Sequence, residues 1–294
     1  MSFGTAAVEP DPFAHIVDEA PLTPHEAVVK TLDDAKRGWF PLRKSFVQRP
    51  KGSVAQANRP SPRASVLYDL VHGKHQRPLD LLLMLHAFQP VLDVSPLKLA
   101  TWAHMLSART PCTSAGVSRA VDTLENMDLV RRIGSGHAPE LRLLREDGEH
   151  EPWFKAGSKS EQGPGYFVVP HAYWTSGLFE KLTMPGQAML FITLAETQNP
   201  TTPSFKMAYE RTKDWYGLSE RTAERGFREL STEGYLLTRV QKVPDRKHPV
   251  RRREDTWRAL AAPFSSAARQ QLQGVSAAAA RATASATVAT GGAP

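Results

Sequence analysis

The sequence predicts a mainly α chain with small β hairpins, an α+β class, folded as two similar units in tandem. Two stretches carry the repeat: "TSAGVSRAVDTLENMDLVRRI" from Thr113 and "SERTAERGFRELSTEGYLLTR" from Ser219 align without a gap at an offset of 106 residues. In both, a hydroxyl residue precedes apolar positions spaced three and four apart, which is the pattern of a capped helix with one buried stripe. Short β-rich runs around a turn follow each stretch. A chain of 294 residues suits one large domain or two small ones. Apolar residues, at 41%, are enough for packed cores.

Taken in order, residues 1–60 read as a basic, largely flexible arm. From Lys36 to Arg63 there are eight Lys or Arg residues and no Asp or Glu, with Trp39, Phe40 and Phe46 interleaved. Within the arm, Thr23 is placed to cap an amphipathic helix over Pro24 to Gly38. The first unit spans 61–147. It begins with an apolar helix over Pro78 to Gln89. A second helix has Ser95 as N-cap and Pro96 at its first position. The capped helix after Thr113 is the third. "LVRRIGSGHAPELRLLRED" then reads as strand, glycine turn, strand.

Residues 148–164 read as a linker. The second unit spans 165–264, with a first helix over Leu182 to Gln198 and a second over about Phe205 to Trp215, turned at Gly217. In the third helix, Ser219 is placed as N-cap, Glu220 suits the positive end of the helix dipole, and Gly234 supplies the left-handed stop. Tyr235 to Val240 and Asp255 to Leu260 read as strands. Between Lys242 and Arg253 lie six basic residues and one acid, Asp245. Residues 265–294 read as a disordered, Ala-rich tail that is dispensable for folding.

Three helices with a turn between the second and third, followed by a hairpin, make a winged helix-turn-helix. The organisation expected is therefore two winged helix-turn-helix domains in tandem with disordered tails. The "S-x-R-T-x-x-R…L…G-x-L" run of the second unit resembles winged-helix DNA-binding domains of bacterial regulators. "YFVVPHAYW…LTMPGQAMLFITLAE…YGLSERTAERGFREL" is also similar to plasmid and mobile-element replication initiators. The likeness covers roughly Tyr166 to Phe264 well and Leu67 to Arg145 weakly. It implies that the start of the third helix lies in the major groove, which implicates Ser219, Arg221, Thr222 and Arg225. The matching places in the first unit hold Thr113, Ala115, Gly116 and Arg119, without the arginine-and-threonine pair.

The chemistry of the residues points the same way. Arginine can donate two parallel hydrogen bonds to the O6 and N7 of guanine. Ser and Thr hydroxyls at a helix start suit phosphate. The net charge of +7 favours an anionic partner. The residues expected to contact double-stranded DNA are Thr113, Ser114, Arg119, Arg131 and Arg132 in the first unit. In the second they are Ser219, Arg221, Thr222, Arg225, Arg228, Lys242, Arg246, Lys247, Arg251, Arg252 and Arg253. Glu224 and Glu229 read as solvated.

Enzyme readings fail on their motifs. "GSGHAPE", Gly134 to Glu140, lacks the Gly-Lys-Ser/Thr ending of a phosphate loop. "HGKH", His72 to His75, has no partner pair to complete a metal site. The single cysteine, Cys112, has no catalytic partner in the pattern and allows no internal disulfide, which suits a reducing cytoplasm. The expectation is no catalytic residue, no metal and no cofactor. The longest apolar run, Leu79 to Phe88, falls short of the about 20 residues a membrane span needs, and no signal peptide pattern follows Met1. Three functions fit: a transcriptional regulator, a replication initiator of a plasmid or integrative element, or alternatively a protein-interaction subunit of a chromosome-organising complex. A homodimer, or contacts with replication or transcription machinery, would accompany the first two.

Overall fold

The computed structural model describes residues 20–92, 95–157, 165–244 and 252–290, a mixture of helices with small antiparallel sheets. Over residues 20–60 the expected flexible arm is replaced by ordered structure. Thr23 caps α1 (Pro24–Asp34): its hydroxyl accepts from the Glu26 amide at 3.3 Å, and Glu26 accepts from the Thr23 amide at 2.8 Å. Val28 and Leu32 are buried, and His25 bonds Glu180 at 2.6 Å. Strand β1 (Trp39–Arg43) follows and pairs antiparallel with Tyr166–Pro170, Trp39 opposite Pro170. The physical reason is that "FPLRKSFV" buries Phe40, Leu42, Phe46 and Val47, so the segment gains more from burial than its charges cost. Two cations of residues 20–60 are neutralised within the fold: Arg43 pairs with Glu146 at 2.5 Å, and Arg59 pairs with Asp69.

The first unit contains α2 (Val66–His72), α3 (Gln76–Ala87), α4 (Gln89–Leu92), α5 (Leu99–Leu106) and α6 (Ser114–Asn126), then β2 (Val130–Ile133) paired with β3 (Glu140–Leu143). Helix α3 is buried from Pro78 to Ala87, as its nearly unbroken apolar run requires. The second helix does not start at Ser95 and Pro96. It starts at Leu99, whose amide donates to His137 O at 2.8 Å, so the hairpin turn supplies the acceptor that a side-chain cap would have supplied. The described part of the expected linker lies on this unit: Leu144 bridges Pro152, and Ala156 is buried.

The second unit begins with β4 (Tyr166–Pro170), followed by α7 (Ala172–Thr175), α8 (Leu178–Lys181) and α9 (Met184–Glu196). Next come β5 (Phe205–Lys206), α10 (Arg211–Tyr216), α11 (Glu220–Thr232), β6 (Leu236–Pro244) and β7 (Arg252–Leu260). The helix expected over Phe205 to Trp215 is divided. Phe205 pairs opposite Arg258 as an edge strand, giving a three-stranded sheet in the order β5–β7–β6, and only the part from Arg211 is helical. Helices α6 and α11 begin and end 106 residues apart, and so do the starts of β2 and β6. Glycine decides how closely α11 approaches α9. A Cβ on Gly226 would lie 2.2 Å from Pro185 O and 2.5 Å from Met189 Cγ, so no larger residue fits.

The two units meet at a buried polar junction. Asp80 and Gln187 stand two residues after Pro78 and Pro185, and Gln187 Nε2 donates to Asp80 Oδ1 at 2.8 Å. Arg109 completes the junction, with Nε on Asp80 Oδ2 at 2.9 Å and a second bond to Leu182 O.

The tail expected to be disordered is helical: α12 spans Ser266–Thr290. Its alanine-rich composition has the highest helix propensity, and it is anchored at its start. Arg269 is fully buried, and next to it Gln273 Nε2 donates to Tyr166 Oη at 3.0 Å. Ser276 Oγ accepts from Trp39 Nε1 at 2.9 Å, so α12 lies against the β1–β4 pair.

Phe40 on β1 lies against two buried histidines, stacked on His86 with ring centroids 6.2 Å apart and tilted by 38° to His171 at 6.5 Å. Burial pushes the His86 pKa down to about 3 and that of His171 to about 4. In the unfolded chain both take up protons below about 6.5. The folded state binds fewer protons between those values, so its stability is present above about pH 6.5 and is lost as pH falls toward 4. The expected slope is about 1.4 kcal/mol per pH unit for each histidine, read from denaturant midpoints between pH 7 and 4.5. Burial raises the carboxyls of Asp80 and Glu146, whose opposing contribution is common to wild type and variants, so the check is the difference from His86→Asn and His171→Asn. Profiles equal to the wild type would mean the two rings are solvated.

Candidate nucleic-acid interface

Helix α11 has two faces. Ala223, Gly226, Phe227 and Leu230 are buried, while Arg221, Glu224, Arg225 and Arg228 are exposed. Ser219 caps it by accepting from the Thr222 amide at 3.1 Å, and the Ser219 and Thr222 hydroxyls lie 2.8 Å apart. That bond fixes the first turn, and with it the base of Arg221. Arg221 has no side-chain partner among the described residues. The other two arginines are held along the helix: Arg225 Nε to Glu229 at 3.1 Å, and Arg228 Nη2 to Glu224 at 2.7 Å. Exposed pairs of this spacing contribute only about 0.3–0.5 kcal/mol, so an incoming phosphate can displace them.

Glu224 is exposed, as expected. Glu229 is more than a solvated charge. It accepts from the Thr183 amide at 2.9 Å and from the Thr183 hydroxyl at 2.5 Å, which ties α11 to the start of α9.

Strands β6 and β7 run further than their sequence suggests, with register continuing to Pro244 opposite Arg252. Each has nine residues, which carries the basic end of the hairpin roughly 30 Å from its base. Lys242, Arg252 and Arg253 are exposed there, while Arg246, Lys247 and Arg251 lie outside the described residues. Lys242 lies 3.7 Å from Glu254, and Arg253 lies 3.3 Å from Asp255. Asp255 also accepts from Lys206 at 2.7 Å, a bond that holds its carboxyl below the ordinary value. Trp257 donates to Gln241 at 2.9 Å on the outer face of this sheet, a neighbour absent from the sequence reading.

The first unit repeats the cap with less free charge. Thr113 accepts from the Gly116 amide at 3.2 Å, Ser114 opens the helix, and Arg119 is exposed. The cations of its hairpin are engaged. Arg132 Nη2 lies 2.5 Å from Asp122 and 3.2 Å from Glu125, turned back onto α6, and Arg131 lies 2.8 Å from His150. Sequence reasoning did not pick out Arg77 and Lys74, which stand at the mouth of a cavity beside α6. The only signal for them was "GKHQRP" ahead of an apolar run, which reads as a helix start.

Among the described residues no group of three or more His, Cys, Asp or Glu is arranged to hold a metal ion, and no helix is long and apolar enough to cross a membrane. Comparison of the chain with protein-family models, with curated proteins and with solved structures finds no match.

Proposed function

We propose that the chain is a sequence-specific double-stranded DNA-binding protein built on two winged helix-turn-helix units, acting as a transcriptional regulator or as the replication initiator of a plasmid or integrative element. The second unit is the reader. One observation carries this reading: a capped helix, buried on one face, presents Arg221, without a side-chain partner among the described residues, with Arg225 and Arg228 on the other, beside a long hairpin with basic residues at its far end. The element order of that unit, helix, edge strand, helix, helix and hairpin closed into one sheet, supports the winged-helix reading. The first unit shares the capped helix, the offset and the hairpin, but it keeps Arg132 on its own acids. It therefore serves chiefly to position the second.

The test is selection of bound fragments from a random duplex library, followed by variants on the selected site. Arg221→Ala is expected to lose about 1–3 kcal/mol on that site and to relax the preference at one base pair. Arg252→Ala, at the far end of the hairpin, is expected to weaken all duplexes alike and to lower the salt slope by about one. An unchanged selected motif in both Arg221→Ala and Arg225→Ala would remove the second unit as the reader. Selected fragments that map to repeats at an origin would mark an initiator, and fragments at promoters a regulator.

A further inference from the structure

A cavity of about 390 Å³ opens between the start of α3, the α5–α6 turn and the exposed side of α6. Its wall carries Lys74, His75, Arg77, Arg109 and Arg119, with Asp80 as the acid. Asp80 is already taken, because it holds Arg109 at 2.9 Å in the junction between the units. Among the described residues, no carboxylate pairs with Lys74, Arg77 or Arg119. Lys74 has no partner among the described residues. Arg119 bonds only the Ala115 carbonyl, at 3.4 Å.

Arg77 is the most informative of them. It is half-buried, and Nη2 bonds only neutral acceptors, Pro111 O at 3.2 Å and Thr110 Oγ1 at 3.5 Å. A Cβ on Gly116 would lie 3.4 Å from Arg77 Nη1, so the guanidinium rests against the first turn of α6. The helix dipole is positive at that end, which makes it an unfavourable place for a cation with no anion. Five other arginines, Arg43, Arg59, Arg109, Arg132 and Arg145, each hold a carboxylate. Two that do not, Arg258 and Arg269, are buried and spend their guanidinium on carbonyls and aromatic rings inside the fold, whereas Arg77 lines a cavity.

The second unit shows what closure of this space looks like. There Glu229, in the second half of α11, fills the gap to the start of α9 by bonding Thr183. The place matching Glu229 at the 106-residue offset is Thr123, which has no charge and lines the open cavity.

The geometry points to a binding site for a phosphate-bearing anion in this cavity, held by the forked guanidinium of Arg77 with Lys74 and Arg119. Guanidinium matches two phosphate oxygens at once, and an ammonium adds a point charge. The volume falls in the range of small-molecule sites, so a phosphorylated molecule the size of a nucleotide fits. The same oxygens could be supplied by the DNA backbone. That source rests on the proposed function, whereas a free phosphorylated ligand does not.

The experiment titrates the full chain with sodium pyrophosphate against sodium chloride of equal ionic strength, by calorimetry and by thermal midpoint. Binding is expected in the wild type, with a raised midpoint. Lys74→Gln, at an exposed position, and Arg77→Gln should each weaken it about tenfold. Lys213→Gln, exposed in the other unit, should leave it unchanged. The variants' midpoints in chloride alone report whether they fold. If pyrophosphate does not bind but Lys74→Gln and Arg77→Gln each weaken a random duplex about tenfold, the phosphate is the DNA's and the site stands. Two results overturn the site: pyrophosphate bound equally by wild type and both variants, or no pyrophosphate binding together with unchanged duplex affinity.

Discussion

Phe227→Ala is expected to lower the stability of the folded chain by about 3–5 kcal/mol. Phe227 is 3% exposed and sits in the buried stripe of α11 between Gly226 and Leu230. The Arg258 guanidinium lies 4.3 Å above its ring, and Tyr209 packs beside it at 6.2 Å. Truncation removes the ring and leaves Arg258 without that face. The helix cannot slide inward to fill the space, because Gly226 already stands against the backbone of Pro185. The check is a denaturant titration. Its midpoint should fall with an unchanged slope, since the surface exposed on unfolding is nearly the same. A loss under about 1 kcal/mol would show that the stripe of α11 is not core. The selected DNA motif of the remaining folded protein should not change, which separates this effect from that of Arg221.

Arg269→Ala is expected to cost on the order of 3 kcal/mol, because buried carbonyls lose their donor at about 1–3 kcal/mol each and relaxation recovers part. The guanidinium donates to Phe264 O at 3.0 Å, Leu194 O at 2.8 Å and Thr197 O at 2.7 Å. It also reaches Gln198 at 2.6 Å and the Thr197 hydroxyl at 2.9 Å. Two of these carbonyls belong to the end of α9, where a cation also suits the negative end of the helix dipole. Burial lowers the Arg269 pKa to about 10, which leaves it charged at neutral pH. Arg269→Lys should not rescue the loss, because one ammonium cannot serve acceptors spread around a planar fork. Gln271→Ala, exposed on the same helix, should change the thermal midpoint little. Equal midpoints for Arg269→Ala and the wild type would show that α12 is not docked.

The parts legible in the sequence are those that local rules decide. Helices α6 and α11 were visible because their caps and their 3.6-residue stripes lie within one short window. The stop at Gly234 was visible because only glycine takes its φ of +78° without strain. What could not be read depends on distant partners. Nothing near Trp39 announces a strand whose complement is Tyr166–Pro170, so a basic stretch with scattered aromatics read as an arm. Nothing near Arg269 announces the open carbonyls of α9, so an alanine-rich run read as disordered. The same limit applies to the interface. Read from the sequence, Arg132, Arg225 and Arg228 stand equal with Arg221, but Glu229 and Glu224 hold Arg225 and Arg228 one turn away on α11, and Asp122 reaches Arg132 from α6 across to β2. The basic cavity was hidden for a further reason: it is defined by a missing carboxylate, at Thr123.

The pairing of β1 with β4 has a consequence for how the chain is made. Trp39 cannot meet Pro170 until 131 further residues have been synthesised. At roughly 5–20 residues per second, that is a wait of roughly 7–26 s. During that interval Phe40, Leu42 and Phe46 have no permanent cover, and they stand beside the uncompensated charges of Lys36 to Lys51. Those charges repel other nascent chains and keep the apolar residues from associating with them. The basic composition that reads as a flexible arm thus acts before the protein is folded, as a guard on a strand that must wait for its complement.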